Sequence, residues 1–106
     1  MNKVFHTIIT LLFISVSWSQ TAGKIKGSLT STDGSALAGA NVSLEGTSIG
    51  SATSDDGSFS IINVPVGSYT VKFQYIGFKT KLIENVNVSL DLTTVLDAQL
   101  EQSTIE

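Results

Sequence analysis

From Lys24 onward, hydrophobic and polar residues alternate in short runs separated by glycine, aspartate and asparagine. That pattern predicts consecutive β-strands joined by tight turns. Ile25, Gly27 and Leu29 alternate with Lys26 and Ser28 in a first strand, which stops at the turn signal Ser31-Thr32-Asp33-Gly34. Across Ala38 to Glu45 the alternation resumes, with Val42 and Leu44 on one face and Ser43 and Glu45 on the other. Gly46-Thr47 turns the chain, and Ile49 to Ser54 reads as a third, polar strand. It ends at Asp55-Asp56-Gly57, where Asp-Gly signals a hairpin because glycine accepts positive φ. Phe59 and Ile61 follow at period two.

After Val64-Pro65-Val66-Gly67 comes the clearest strand, with Tyr69, Val71, Phe73 and Tyr75 on one face and Thr70, Lys72 and Gln74 on the other. It is the expected heart of the core. Gly77 breaks it, and Lys79 to Asn87 continues with weaker spacing through Leu82, Val86 and Val88. A last strand, Val95 to Glu101, sets Leu96, Ala98 and Leu100 against Asp97 and Gln99. Seven one-sided strands at roughly 8–12-residue spacing predict an all-β fold, a seven-stranded antiparallel β-sandwich of immunoglobulin-like or transthyretin-like kind. The expected turn glycines are Gly34, Gly57, Gly67 and Gly77. Valine at Gly57 or Gly67 is expected to cost about 1–3 kcal/mol if those glycines hold positive φ.

The first residues break this pattern. Met1-Asn2-Lys3 is a short positive stretch, Val4 to Val16 is apolar but for a few hydroxyls and His6, and Ser17-Trp18-Ser19 sets small residues before Gln20. This order predicts a helical secretory signal peptide over 1–19 with the cut before Gln20. A membrane anchor is disfavoured, because the apolar run falls short of the roughly 18–20 residues a bilayer needs. A lipid-anchored leader is excluded, since the chain has no cysteine to carry the lipid. What remains from Gln20 has room for one small domain.

Charge and composition then narrow the function. The chain carries −3 overall and no arginine, and losing Lys3 with the leader makes it more acidic. Such a chain is a poor partner for nucleic acid or an anionic membrane. His6 is the only histidine and leaves with the leader, so the mature chain has neither His nor Cys. The usual general base, the thiol nucleophile and the ligands of most zinc sites are therefore missing. No enzyme, cofactor or metal is expected. Asp55-Asp56-Gly57-Ser58 lacks the alternating aspartates and distal glutamate of a calcium loop and reads as a hairpin turn. Tyr69, Phe73, Tyr75 and Phe78 would suit a sugar platform, but one-sided aromatics usually fill a core; Phe78, after Gly77, is the one expected to reach the surface. Asn41-Val42-Ser43 and Asn87-Val88-Ser89 fit the glycosylation sequon, a match read as incidental. Ile49 to Ser54 is weighed as a docking edge and read first as a solvated one.

The run Gly27, Asp33-Gly34, Leu37-Ala38-Gly39-Ala40-Asn41-Val42, Leu44, Gly46-Thr47, Gly50, Thr53, Asp55-Asp56-Gly57, Phe59, Ile61, Val64-Pro65, Gly67, Tyr69, Val71 and Tyr75-Ile76-Gly77-Phe78 resembles the carboxypeptidase regulatory-like domain. The resemblance implies a transthyretin-like sandwich over 20–101. With a leader directly before it, the segment resembles the N-terminal extension of bacterial TonB-dependent outer-membrane receptors, in which a plug and barrel follow. It implies a non-catalytic accessory domain in uptake of glycans or siderophores, on the periplasmic side of the outer membrane. Residues 102–106 would then be a tail leading toward the plug, and the chain a receptor fragment. The implied partners are that plug and barrel or other envelope proteins. The alternative is a free-standing secreted carbohydrate-binding module whose partners are glycans, with Phe78 as a ligand contact.

Overall fold

The computed structural model describes residues 22–103. The predicted leader, residues 1–19, and the end of the predicted tail lie outside those residues. Eight strands follow one another: β1 (Ala22–Ser31), β2 (Asn41–Leu44), β3 (Gly50–Ala52), β4 (Ser58–Pro65), β5 (Gly67–Gln74), β6 (Lys81–Val88), β7 (Thr93–Val95) and β8 (Ala98–Leu100). They form two sheets, one ordered β4-β1-β7 with β8 also paired to β1, the other ordered β3-β2-β5-β6. The all-β sandwich expected from the alternation is what the chain adopts.

The alternating positions supply the core. Ile25, Leu29, Phe59, Ile61, Val64, Ala98 and Leu100 come from the first sheet, and Val42, Leu44, Val71, Phe73, Val86 and Val88 from the second. Phe59 and Phe73 meet edge to face between the sheets, centroids 5.8 Å apart and planes at 72°, a favoured aromatic geometry. The central strand β5 behaves as its pattern implies, with Val71 and Phe73 fully buried and Tyr69 and Tyr75 half-buried at its ends.

Two strands change phase midway. Gly23 pairs with Val64 but Ile25 pairs with Ile61, so β4 carries an extra residue, and Asn63 takes it up at φ 55°. Likewise Tyr69 pairs with Val86 but Val71 with Ile83, and Asn85 sits at φ 61°. Each bulge turns the next apolar residue, Val64 or Val86, back into the core.

The last strand departs most from expectation. It begins at Thr93, splits in two, and both halves run parallel to β1, with β7 beside Lys24–Lys26 and β8 beside Leu29–Ser31. The break has a local cause. Leu96 N–H donates to the Lys26 carbonyl at 2.8 Å, and the Asp97 carboxylate then takes the Ser28 N–H at 2.9 Å in place of a backbone acceptor. A Cβ on Gly27 would lie 1.8 Å from the Leu96 carbonyl oxygen, so only glycine lets the chain cross there.

Candidate interaction surface

Of the predicted turn glycines, Gly34, Gly57 and Gly77 hold positive φ of 94°, 83° and 88°. Gly67 does not: it opens β5, the bend falls at Val66, and a Cβ there would meet only the Tyr69 ring at 3.7 Å. The expected strain at Gly67 is therefore corrected, and Pro65 and Val66 make the corner without a left-handed residue.

The two Asp-Gly-Ser turns share one construction. Asp33 Oδ1 accepts from the Ser35 N–H at 2.9 Å and its hydroxyl at 2.8 Å, and Asp56 Oδ1 accepts from the Ser58 N–H at 3.0 Å and its hydroxyl at 2.7 Å. Ser31 adds a further hydroxyl donor to Asp33. These donors stabilise the ionised form: led by Ser31, they hold the Asp33 carboxyl down to about 2, and Ser58 lowers Asp56 in the same way. Both carboxylates are occupied in holding their own turns. Among the described residues, no group of three or more His, Cys, Asp or Glu is placed to hold a metal ion.

The polar segment expected as a sheet edge is one. β3 pairs only with β2 and lines the outside of its sheet.

Among the described residues, the most exposed large apolar side chain lies elsewhere. Where β5 ends, Phe78 N–H donates to the Tyr75 carbonyl at 3.1 Å and closes a turn with Gly77 at its third position. That turn folds Phe78 back over Tyr75, ring centroids 5.5 Å apart, and packs both against the core. Ile76, at the tip, is 94% exposed. Phe78, the aromatic expected to reach the surface, is thus half-buried, and Ile76, two residues earlier, carries the exposed apolar surface of the turn. The signal was present in the sequence: a four-residue turn with glycine third brings its outer residues together and leaves its second outside.

Beside this turn opens a groove of about 580 Å³ lined by Gly39, Asn41, Gln74, Tyr75, Ile76 and Thr80. Asn41 and Gln74 are direct cross-strand partners on β2 and β5. The lining offers two amides, a hydroxyl, an aromatic ring and an aliphatic chain, with no charged side chain and no nucleophile paired with a base. Such a surface can hold a ligand by hydrogen bonds and packing.

Comparisons agree with this architecture. The sequence model of the carboxypeptidase regulatory-like domain matches residues 24–101. The TonB-dependent receptor P3 of Formosa agariphila is 32% identical over 108 residues, which cover 99% of this chain and 10% of the receptor. This chain therefore spans about a tenth of that relative's length. Among solved structures, a C-terminal interface mutant of a type II cohesin–X-dockerin complex from Acetivibrio cellulolyticus superposes with a TM-score of 0.61 at 28% identity, covering 72% of this chain and 52% of that one. The Bacillus anthracis TIE protein superposes with a TM-score of 0.57 at 29% identity, covering 77% of this chain and 17% of that one.

Proposed function

The chain belongs to the carboxypeptidase regulatory-like domain family, and from that premise we propose that it is a non-catalytic accessory domain of a TonB-dependent receptor, acting through contacts in the cell envelope. The observation that carries this reading is the 32% identity with such a receptor along 99% of the chain, beyond the domain at 24–101 and into the predicted leader. The leader directs the domain out of the cytoplasm, and the sandwich stands on the periplasmic side of the outer membrane. Its partners are the plug and barrel of the receptor or neighbouring envelope proteins, and the cargo is a glycan or a siderophore. A mature chain without His or Cys supports a role in contact rather than reaction.

Cell fractionation tests it. An antibody to the domain should find it in the outer-membrane fraction, shielded from added protease in intact cells and cleaved once the outer membrane is permeabilised. Recovery from the culture medium as a free domain would overturn the receptor reading and favour the secreted carbohydrate-binding alternative. A mature N-terminus far from Gln20 would overturn the leader.

A further inference from the structure

Lys24 and Lys26 flank the buried Ile25 on β1, so both stand on the outer face of the first sheet, about 6.7 Å apart along the strand. Lys72 has Glu45 at 3.8 Å and Lys79 has Glu101 at 3.4 Å, but among the described residues neither Lys24 nor Lys26 has a carboxylate in ion-pairing range. Together they line a groove of about 380 Å³ with Ser51 and Ser54 from the β3 side and Ser58 and Ser60 from β4. Among the described residues no carboxylate lines it.

An open edge of each sheet reaches this groove. β4 pairs only with β1, and β3 only with β2. The Lys26 carbonyl accepts from Leu96 on the β7 side, so its antiparallel partner Ser60 turns its N–H and C=O away from β1, toward the edge. Thr53 N–H donates to Ala40 on the β2 side, and the neighbouring Ala52 turns its backbone outward in the same way. β4 has no charged side chain to guard its edge, and the bulge at Asn63 and Pro65 blunt only its far half.

We propose that this groove binds an acidic segment of a partner protein, laid as an extended strand along the edge at Ser60. Charge and spacing select that occupant. Side chains on one face of a strand repeat at the spacing of Lys24 and Lys26, so acidic residues at alternate positions meet both ammonium groups across the small side chain of Ser60. The segment's backbone pairs with the outward N–H and C=O of Ser60, and the serine hydroxyls take up its remaining polar groups. A neutral glycan would want an exposed ring to stack on, and the ring that lines the groove, Phe59, is 4% exposed. Nucleic acid would want more than two cations on a chain that carries −3 overall. The proposal adds a surface and a partner chemistry to the accessory role and stands without the receptor reading.

The experiment measures binding of the full-length protein to an immobilised synthetic peptide that alternates glutamate with threonine. Binding should weaken as salt rises, disappear in the double variant Lys24→Gln/Lys26→Gln, and persist in Lys81→Gln on the other sheet. An isomer with the same residues but its glutamates in one block should bind several-fold more weakly. Ser60→Pro removes the outward N–H at an edge position that tolerates proline, and should abolish binding at unchanged melting temperature. No binding, equal binding of the two isomers, or binding that survives loss of both lysines overturns the proposal. Tighter binding of polygalacturonate than of the peptide overturns it too, and would assign the groove to an acidic glycan. Should Ser60→Pro melt lower, the lysine variants and the two isomers decide. Failure of the receptor reading shows in fractionation and leaves peptide binding readable.

Discussion

Thr53 is buried, and its side-chain hydroxyl both donates and accepts. Its hydroxyl accepts from the Ala40 N–H at 2.9 Å and donates to the Leu37 carbonyl, while its backbone pairs with Gly39 and Ala40. One residue thus pins the loop that leads into β2. Thr53→Val keeps the shape but orphans a buried N–H and a buried carbonyl, and should cost about 1–3 kcal/mol, read as a lower urea midpoint at constant slope. Glycines separate by geometry in the same way. Gly57 combines positive φ with a Cβ position 2.6 Å from the Leu29 carbonyl oxygen, so Gly57→Val should destabilise by about 1–3 kcal/mol or more. Gly67→Val, in extended backbone where a Cβ meets only the Tyr69 ring at ordinary contact distance, should stay within about 0.5 kcal/mol. Equal melting shifts for the two would contradict these backbone assignments. Asp33 adds a pH signature. Its carboxyl is depressed in the folded state, so its contribution is fully present above the unfolded value near 4 and is lost as pH falls toward about 2. In Asp33→Asn that part of the acid limb of a melting-temperature profile should be missing.

At the scale of elements, the decisive contact is the crossing of Leu96 over Gly27. Gly27→Ala sets a methyl on top of the Leu96 carbonyl, which is backbone and cannot rotate away. The variant should lose at least the ~3 kcal/mol at the upper end of overpacking, seen as lost soluble expression or an early melt. The sequence shows why some elements were legible and this one was not. Strands β2, β4 and β5 announce themselves by alternation, and two of their turns by Asp-Gly, because those signals are local. The bulges at Asn63 and Asn85 are hidden in runs such as Phe59-Ser60-Ile61-Ile62-Asn63-Val64, where strict period two would send Asn63 inward. Asparagine tolerates the left-handed region, and the bulge moves Val64 inward instead. The parallel pairing of β7 and β8 left no local trace, since period two is the same in both directions of a strand. For the candidate surface, Tyr75-Ile76-Gly77-Phe78 was visible as a turn. Which member faces water depended on the reversal at Gly77, and the strand pattern alone assigned it to Phe78.

For the molecule as a whole, the link between the sheets rests on few large side chains. Phe73 is wholly buried and meets Phe59 across the interior. Phe73→Ala should cost about 3–5 kcal/mol, a large share of the ~5–15 kcal/mol that holds a domain of ordinary stability. With no cysteine in the chain, no disulfide offsets such a loss. The variant should bind hydrophobic dyes or fail to accumulate, and a native-like melt would show that the core is held together elsewhere.

The place of β1 sets the order of events when the chain is made. It is the first strand of the domain, yet it lies between β4 and the pair β7 and β8. Ile25 and Leu29 therefore wait for neighbours that come last within the domain, and the first sheet closes only when β7 and β8 are available. A nascent chain can assemble β2, β3, β5 and β6 ahead of that step, but not the sandwich. Until β7 and β8 have been made, this domain remains a chain whose first sheet is still open.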